Sequence, residues 1–292
     1  MPDSKKLWSS GVGAPLILMT AAVIQYIGAS FAVTLFEQVS AGAVAWGRFA
    51  FAAVILLVWK RPRIALKKLW IPAVFGLALT SMNVVFYLSI SKIPLGTAVA
   101  LEFLGPVMLS AVTGRGWKVR VGVVFALVGV FLISWIGVDT ADPQIRWGVF
   151  YGLLAGVFWA VYIVLGKRVA WNGSGANALG IGCATGAIVF LPLAIPDFQP
   201  VLLDGKLLLF MLAVALCSTV MPYVMELYVM GKIPTSNYAL LTSLYPATSL
   251  LVGMAILRQI PTVGEVVGLV FVSVAVALAT RTRESGSSPS KI

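Results

Sequence analysis

Long apolar runs alternate with short polar or turn-forming breaks along almost the whole chain. An α-helix needs about 20 apolar residues to cross the hydrocarbon core of a membrane. Ten runs come close to that length or exceed it, and they predict transmembrane helices at residues 11–34, 41–59, 69–91, 95–113, 119–135, 147–169, 176–194, 207–231, 236–257 and 263–280. The pattern therefore predicts an all-α integral membrane protein with ten spans.

The composition agrees with a chain that is surrounded by lipid. Of 292 residues, 60% are hydrophobic and 11% are charged, whereas soluble domains carry about 25% charged residues. A chain this apolar cannot cover itself in water, so much of its surface must face lipid. Cys183 and Cys217 both lie within apolar runs. We interpret them as small packing residues and expect neither a disulfide nor a metal site.

Lys and Arg residues are distributed unevenly between the two sides of the predicted membrane. If the N-terminus is cytoplasmic, 16 of the 21 positive residues lie on the cytoplasmic side, four lie on the other side, and Arg48 lies within a span. Cytoplasmic loops carry an excess of Lys and Arg, so we predict that both termini are cytoplasmic. These loops account for the net charge of +11, and we expect no nucleic-acid partner.

A weak internal repeat relates the two halves of the chain. Residues 91–94 (SKIP) recur as residues 231–234 (GKIP), and Pro106 recurs as Pro246 at the same offset. Chance similarity between apolar helices is the alternative interpretation. If the repeat is real, each half has five helices, and because five is odd the second half must be inverted. Many secondary transporters have this architecture, with the substrate site near the midplane between the halves.

The predicted organisation follows from the spans and the repeat. It comprises a cytoplasmic N-terminus at 1–10, a first five-helix repeat at 11–135, a periplasmic connecting loop at 136–146, a second five-helix repeat at 147–280 and a cytoplasmic tail at 281–292. The tail is polar and rich in serine, and we expect it to be disordered. No predicted loop exceeds about a dozen residues, which leaves no room for a soluble catalytic or nucleotide-binding domain.

Three prolines lie near the middle of predicted spans and should interrupt them. Proline has no N–H group, so Pro106, Pro222 and Pro246 each leave the carbonyl four residues earlier without its usual helical partner. In lipid such a carbonyl is costly unless protein or trapped water satisfies it. We predict helix breaks that serve gating at all three positions. A packing kink without a functional role is the alternative.

Three charged residues lie deep within the predicted spans: Arg48, Glu102 and Glu226. Each costs at least about 2.5 kcal/mol at the bilayer centre unless it is paired or hydrated, so they should face a cavity or one another. Two acids and one base suit a site for a zwitterion, and a glutamate in this setting could also carry a proton. The alternative is a structural triad in which Arg48 pairs permanently with one acid.

Further polar and aromatic residues at mid-span positions complete the predicted substrate site, because aromatic rings with polar edges suit an amphipathic solute. They are Gln25, Asn83, Tyr87, Trp159, Tyr162, Tyr223, Thr242 and Tyr245. Glycines at helical spacing are typical of close helix contacts or of a dimer interface. We assign this role to Gly148, Gly152, Gly156, Gly182, Gly186, Gly264 and Gly268.

Several catalytic signatures are missing from the sequence. It contains no histidine, which removes the commonest general base and the commonest metal ligand. It has no Walker A pattern, no nucleophile elbow and no acidic cluster with metal-ligand spacing. We therefore expect no cofactor, no metal and no enzymatic activity, and a membrane enzyme is the weaker hypothesis.

Several stretches resemble the EamA-type members of the drug/metabolite transporter superfamily. They are residues 82–90 (MNVVFYLSI), 94–96 (PLG), 98–106 (AVALEFLGP), 158–163 (FWAVYI) and 218–223 (STVMPY), the last of which leads to Glu226. The resemblance implies a ten-helix inverted repeat in the bacterial inner membrane and a central cavity lined by both halves. Gln25 and Arg48 lie outside these stretches, so their assignment depends on depth and polarity alone.

The resemblance implies export of amino acids and related metabolites, of the threonine/homoserine type or of the neutral or aromatic type. We therefore predict a secondary transporter that works by alternating access, as a monomer or a homodimer, with a small molecule and membrane lipid as its partners. The alternatives are an exporter of another metabolite or a drug within the same superfamily, and a passive facilitator or channel.

Overall fold

The computed structural model describes residues 13–62, 69–113, 117–136, 142–171, 175–195, 197–232, 238, 241–242 and 245–281. Within these ranges the chain is helical and contains no β-strand. The α-helices are α1 (Gly13–Leu35), α2 (Ala41–Lys60), α3 (Trp70–Ile90), α4 (Leu95–Glu102), α5 (Leu104–Thr113), α6 (Trp117–Ile136), α7 (Pro143–Trp171), α8 (Gly175–Val189), α9 (Gln199–Leu203), α10 (Gly205–Ala215), α11 (Met221–Met230), α12 (Tyr245–Leu257) and α13 (Val263–Arg281).

Five helical segments in the described part are long and apolar enough to cross a membrane. They are Gly13–Leu35, Ala41–Lys60, Trp70–Ile90, Pro143–Ala170 and Gly205–Met230. Shorter apolar helices occur at Leu95–Leu109, Arg120–Gly129, Gly175–Val189, Thr248–Leu257 and Val263–Val274. Each of the ten predicted spans overlaps one of these ten segments. A multi-pass helical membrane protein is therefore the observed class, while the ten-span inverted arrangement stays a prediction.

Side-chain caps set several helix starts, because the first backbone N–H groups of a helix have no partner within it. Ser40 Oγ accepts from the N–H of Ala43 before α2, and Asp204 Oδ1 accepts from the N–H of Lys206 before α10. Asp142 Oδ1 likewise accepts from the N–H of Gln144. This last cap explains why α7 begins at Pro143, four residues before the predicted start of the sixth span.

Two of the three predicted breaks fall in the described part of the chain. The fourth span is divided into α4 and α5 at Phe103, three residues before Pro106. In the eighth span a π-helical turn at Leu216–Val220 separates α10 from α11 just before Pro222. A π-turn absorbs the carbonyl that proline leaves without a donor. Residues 243 and 244, which precede Pro246, lie outside the described residues.

Helix contacts occur in corresponding pairs. Helix α3 packs against α7 and α8, and the α10–α11 segment packs against α1 and α2. Helices α4 and α5 pack against α7, and α12 packs against α1. Three further contacts join α2 to α8, α4 to α12 and α6 to α13. An exchange of the two five-span halves converts this set of contacts into itself.

Glycines allow the closest of these contacts. A Cβ on Gly76 of α3 would lie 1.9 Å from the Cα of Gly182 in α8, and a Cβ on Gly105 would lie 1.8 Å from the carbonyl oxygen of Gly156 in α7. The helices touch through their backbones at both places. Gly148, Gly152, Gly186 and Gly268 also lie against neighbouring helices of the same chain.

Candidate functional site

A buried arginine lies at the centre of the helix bundle. Arg48 of α2 is 1% exposed. Its Nη1 donates to Ser218 Oγ at 2.8 Å, and its Nη2 donates to Asn83 Oδ1. The guanidinium carbon lies 4.5 Å from the ring centre of Tyr87, and the Tyr87 hydroxyl is 2.9 Å from Ser218 Oγ. Neutral groups and an aromatic face therefore solvate this charge.

Asn83 connects the arginine to the second half of the chain. Its Nδ2 donates to the carbonyl of Leu79 at 2.8 Å and lies 2.9 Å from the hydroxyl of Tyr223. That hydroxyl is also 3.0 Å from Asn83 Oδ1. The partners are 140 residues apart, which equals the offset of the sequence repeat. In the predicted repeat, these residues of α3 and α11 would occupy equivalent positions.

Glu226 has two tyrosine donors. Tyr238 donates to its Oε2 at 3.1 Å, and Tyr245 donates to its Oε1 at 3.2 Å. All three side chains are buried. The ring of Tyr245 also meets the rings of Tyr26 and Phe103 edge to face, with centroid distances of 6.2 Å and 6.0 Å.

Glu102 is the last residue of α4, immediately before the break. It is 8% exposed, and its carboxyl group has no hydrogen-bond partner among the described residues. It interacts electrostatically with Arg48 and Glu226 but forms no ion pair with Arg48. The neighbouring ring of Phe103 packs edge to face on Trp159 at 4.2 Å.

Three more polar atoms of the predicted site residues are buried and have no hydrogen-bond partner in the part of the chain that the structure describes. They are Gln25 Oε1, Arg48 Nε and the hydroxyl of Tyr162. Buried polar groups nearly always have partners, so each of these atoms requires an explanation. The ring of Tyr162 lies 6.0 Å from that of Tyr223, which places its hydroxyl-bearing side chain next to the Asn83 network.

The structure brings most of the predicted site residues together, but with different pairings from those expected. The proposed structural triad fails in one respect, because Arg48 bonds to Ser218 and Asn83 rather than to an acid. Thr242 is buried and Trp159 is 6% exposed. Pro106 and Pro222 lie at the edges of the same region, in α5 and α11.

Sequence reasoning missed three residues of this region: Phe103, Ser218 and Tyr238. Tyr238 lies seven residues before Tyr245, which is two helical turns and hence the same helix face. That spacing was available as a signal. Ser218 was noticed only for its carbonyl, whereas its hydroxyl contacts both Arg48 and Tyr87.

A fourth buried charge lies outside the central region. Glu265 in the first turn of α13 is 3% exposed. It forms a capping box with Thr262, since Glu265 Oε2 accepts from the Thr262 N–H at 2.8 Å and Thr262 Oγ1 accepts from the Glu265 N–H at 3.2 Å. Its other oxygen accepts from Thr97 of α4. Gln259 Oε1 accepts from the first N–H of α4, at Leu95.

In the described part of the chain, no group of three or more acidic or cysteine side chains could hold a metal ion. The polar groups of the central region are arranged as hydrogen-bond donors and acceptors among aromatic rings. Such an arrangement can bind and orient a small polar solute.

Comparisons with known proteins agree with this picture. The chain is 35% identical over 248 residues to the threonine/homoserine exporter RhtA of Salmonella typhimurium, covering 84% of this chain and 83% of that protein. It is 34% identical over 263 residues to the threonine/homoserine exporter RhtA of Escherichia coli K12, covering 89% and 88%.

One solved crystal structure superimposes with a TM-score of 0.64 at 18% identity, over 94% of this chain and 99% of the other. At this identity the likeness concerns the fold alone. The sequence model of the EamA-like transporter family matches residues 146–281. The apolar helices and these relatives indicate a multi-pass protein of the bacterial inner membrane. The chain belongs to the EamA-like transporter family of the drug/metabolite transporter superfamily.

Proposed function

We propose that this protein exports small amino acids from the bacterial cytoplasm by alternating access between two inverted five-helix halves. The relatives at 34–35% identity are named threonine/homoserine exporters. We infer that the substrates here are zwitterions of similar size, with neutral or aromatic amino acids as further members of the class.

The observation that carries the proposal is the group of buried polar side chains at the contact between the halves. Asn83 of the first half and Tyr223 of the second bond to each other at equivalent repeat positions. Around them lie an acid without a hydrogen-bond partner among the described residues and three buried polar atoms without partners. Burying such groups costs about 1–3 kcal/mol each when nothing satisfies them. A polar ligand that satisfies them accounts for their retention.

The paired helix contacts support the inverted repeat. If α3 and the α10–α11 segment are equivalent, then the contacts of α3 with α7 and α8 must be matched by contacts of α10–α11 with α1 and α2, as found. A contact between equivalent helices, such as α2 with α8, lies on the symmetry axis. Trp46 Nε1 donates to the carbonyl of Ala187 at 2.7 Å across that contact.

Alternating access then requires two packings of these contacts. In each packing, the site is open to one side of the membrane and closed to the other. The breaks at Phe103 and at Leu216–Val220 supply places where a span can bend without further loss of hydrogen bonds. All the residues involved come from one chain, so the proposed cycle is compatible with a monomer or a homodimer.

The test is solute transport in inside-out vesicles or proteoliposomes. Radiolabelled threonine should accumulate inside the vesicles above its concentration in the buffer. It should also exchange with unlabelled threonine on the opposite side of the membrane. Glu102→Gln and Glu226→Gln should each reduce transport while folded protein remains in the membrane. Normal transport in both variants would exclude both acids from substrate binding and from coupling. A channel would allow flux without countertransport, and transport of other solutes alone would indicate another member of the superfamily.

A further inference from the structure

We infer that the two central glutamates have different roles: Glu102 binds the α-ammonium group of the substrate, and Glu226 is a structural acid that holds the second half together. This assignment rests on the proposed function, because it needs a zwitterionic substrate. It is argued from the partners of the two carboxyl groups.

Glu226 already has its hydrogen bonds. Each of its oxygens accepts from one tyrosine hydroxyl, Tyr238 on Oε2 and Tyr245 on Oε1. Those two tyrosines lie in the ninth predicted span, whereas Glu226 lies in α11 of the eighth. The three side chains thus join two neighbouring spans of the same half. An ammonium ion at this carboxylate would have to displace or share both donors.

Glu102 has the opposite surroundings. Its carboxyl group is almost buried, at 8% exposure, but no described donor reaches it. Its position at the α4–α5 break matters because Gly156 of α7 packs directly on its backbone, where a Cβ would lie 2.7 Å from the Glu102 carbonyl oxygen. The backbone is therefore held in place while the side chain stays free to accept a ligand.

A group of aromatic rings begins at the residue after this acid. Phe103 packs on Trp159 of α7 and on Tyr245 of α12, and Tyr245 packs on Tyr26 of α1. An ammonium group is attracted both by a carboxylate and by aromatic rings in a desolvated site. The four rings belong to the N-terminal and the C-terminal parts of the chain, so their grouping next to Glu102 depends on the packing of these parts.

The carboxylate of the same substrate has different candidate partners. Two candidate donors are Arg48 Nε and the hydroxyl of Tyr162, which are buried without a hydrogen-bond partner among the described residues. Both belong to the side of the cluster that contains Asn83 and Tyr223. The cluster thus offers donors near Arg48 for a carboxylate and an acceptor at Glu102 for an ammonium group, which matches the two ends of an amino acid.

The test compares threonine with 3-hydroxybutanoate, which is threonine without its amino group. Each compound is used to inhibit transport of radiolabelled threonine in proteoliposomes that contain the full chain. In the wild type, threonine should inhibit at a concentration lower by roughly tenfold or more, the size of one charge-assisted hydrogen bond. Glu102→Gln should reduce this ratio to within about threefold, since an amide carries no negative charge and can offer an ammonium ion only a weaker, neutral hydrogen bond.

Glu226→Gln is the matched control, because it makes the same chemical change in the same cluster. Glu265→Gln makes that change in a buried acid outside the cluster. Both variants should keep the wild-type ratio even if their transport is slower. An unchanged ratio in Glu102→Gln, or a ratio lost only in Glu226→Gln, would overturn the assignment. A wild type that transports no amino acid would instead overturn the proposed function and the assignment with it.

A measurement on the wild type covers the case in which Glu102→Gln does not fold. Dicyclohexylcarbodiimide modifies carboxyl groups in apolar surroundings, and mass spectrometry can locate the modified residue. Threonine should protect Glu102 from modification, and 3-hydroxybutanoate at the same concentration should not. Equal protection by both compounds would show that the amino group is not bound at Glu102.

Discussion

A single side chain illustrates how the interior tolerates charge. Arg48 would be expected to pair with an acid, because buried arginines are nearly always paired. Instead it donates to Ser218 and Asn83 and lies over the ring of Tyr87. Both bonds cross between spans, over 170 and 35 residues of sequence. The positive charge therefore connects three spans by neutral contacts, and the acids stay available for other partners.

Replacement of Arg48 should accordingly reduce the stability of the protein. Arg48→Ala removes two hydrogen bonds from a charged donor, each with about 1.5–3 kcal/mol at stake, and leaves Asn83 Oδ1 with fewer donors. We expect a lower melting temperature of the purified protein in detergent. Ser218→Ala removes one partner only and should cause a smaller decrease. An Arg48→Ala protein with an unchanged melting temperature would contradict this stabilising role and would leave substrate binding as the only role of Arg48.

The sequence could identify the polar residues of the interior but not their partners. Depth in an apolar run is enough to select Arg48, Asn83, Glu102 and Glu226, because polar groups are rare there and costly. Which of them meet depends on the rotation and height of each helix, and these follow from packing across more than 100 residues of sequence. Glu265 was missed because its position at a helix start resembled an ordinary membrane boundary.

At the scale of helices, two kinds of local irregularity organise the bundle. The breaks at Phe103 and Leu216–Val220 lie in the fourth and eighth predicted spans, and each lies a few residues before a proline, which lacks a backbone donor. A gating role for these breaks stays a prediction. The interruption in the eighth span is a π-turn, and it lies against Gly28, where a Cβ would lie 2.7 Å from the nitrogen of Ser218.

Glycine contacts should be the most sensitive points of helix packing. Gly76→Ala would place a methyl group 1.9 Å from the Cα of Gly182, so α3 and α8 would have to separate. Overpacking of this kind usually costs about 1–3 kcal/mol. We expect a lower melting temperature in detergent and slower transport.

Gly205→Ala is the matched control for that change, since nothing lies within 4 Å of the corresponding Cβ. It should leave melting and transport unchanged. If Gly76→Ala behaves like Gly205→Ala, the backbone contact between α3 and α8 is looser than these distances indicate.

At the scale of the whole molecule, the predicted repeat and the charge distribution favour the same membrane topology. The paired contacts suit two halves related by a two-fold axis in the membrane plane. The excess of Lys and Arg suits cytoplasmic termini and cytoplasmic loops after every second span. The two observations are independent, because the helix contacts depend on packing and the Lys and Arg excess depends on the sequence of the loops.

Their agreement can be checked by labelling single cysteines with a membrane-impermeant maleimide. By our prediction, Lys67 follows the second span and Arg168 lies at the end of the sixth span, so Lys67→Cys and Arg168→Cys should both react only from the cytoplasmic side. Lys92→Cys and Lys206→Cys should react only from the opposite side. The wild-type protein supplies the baseline, since its own Cys183 is buried and its Cys217 is half-buried. Labelling of Lys67→Cys and Arg168→Cys from opposite sides would contradict the predicted topology, because four predicted spans separate the two positions. An even number of crossings returns the chain to the same side of the membrane.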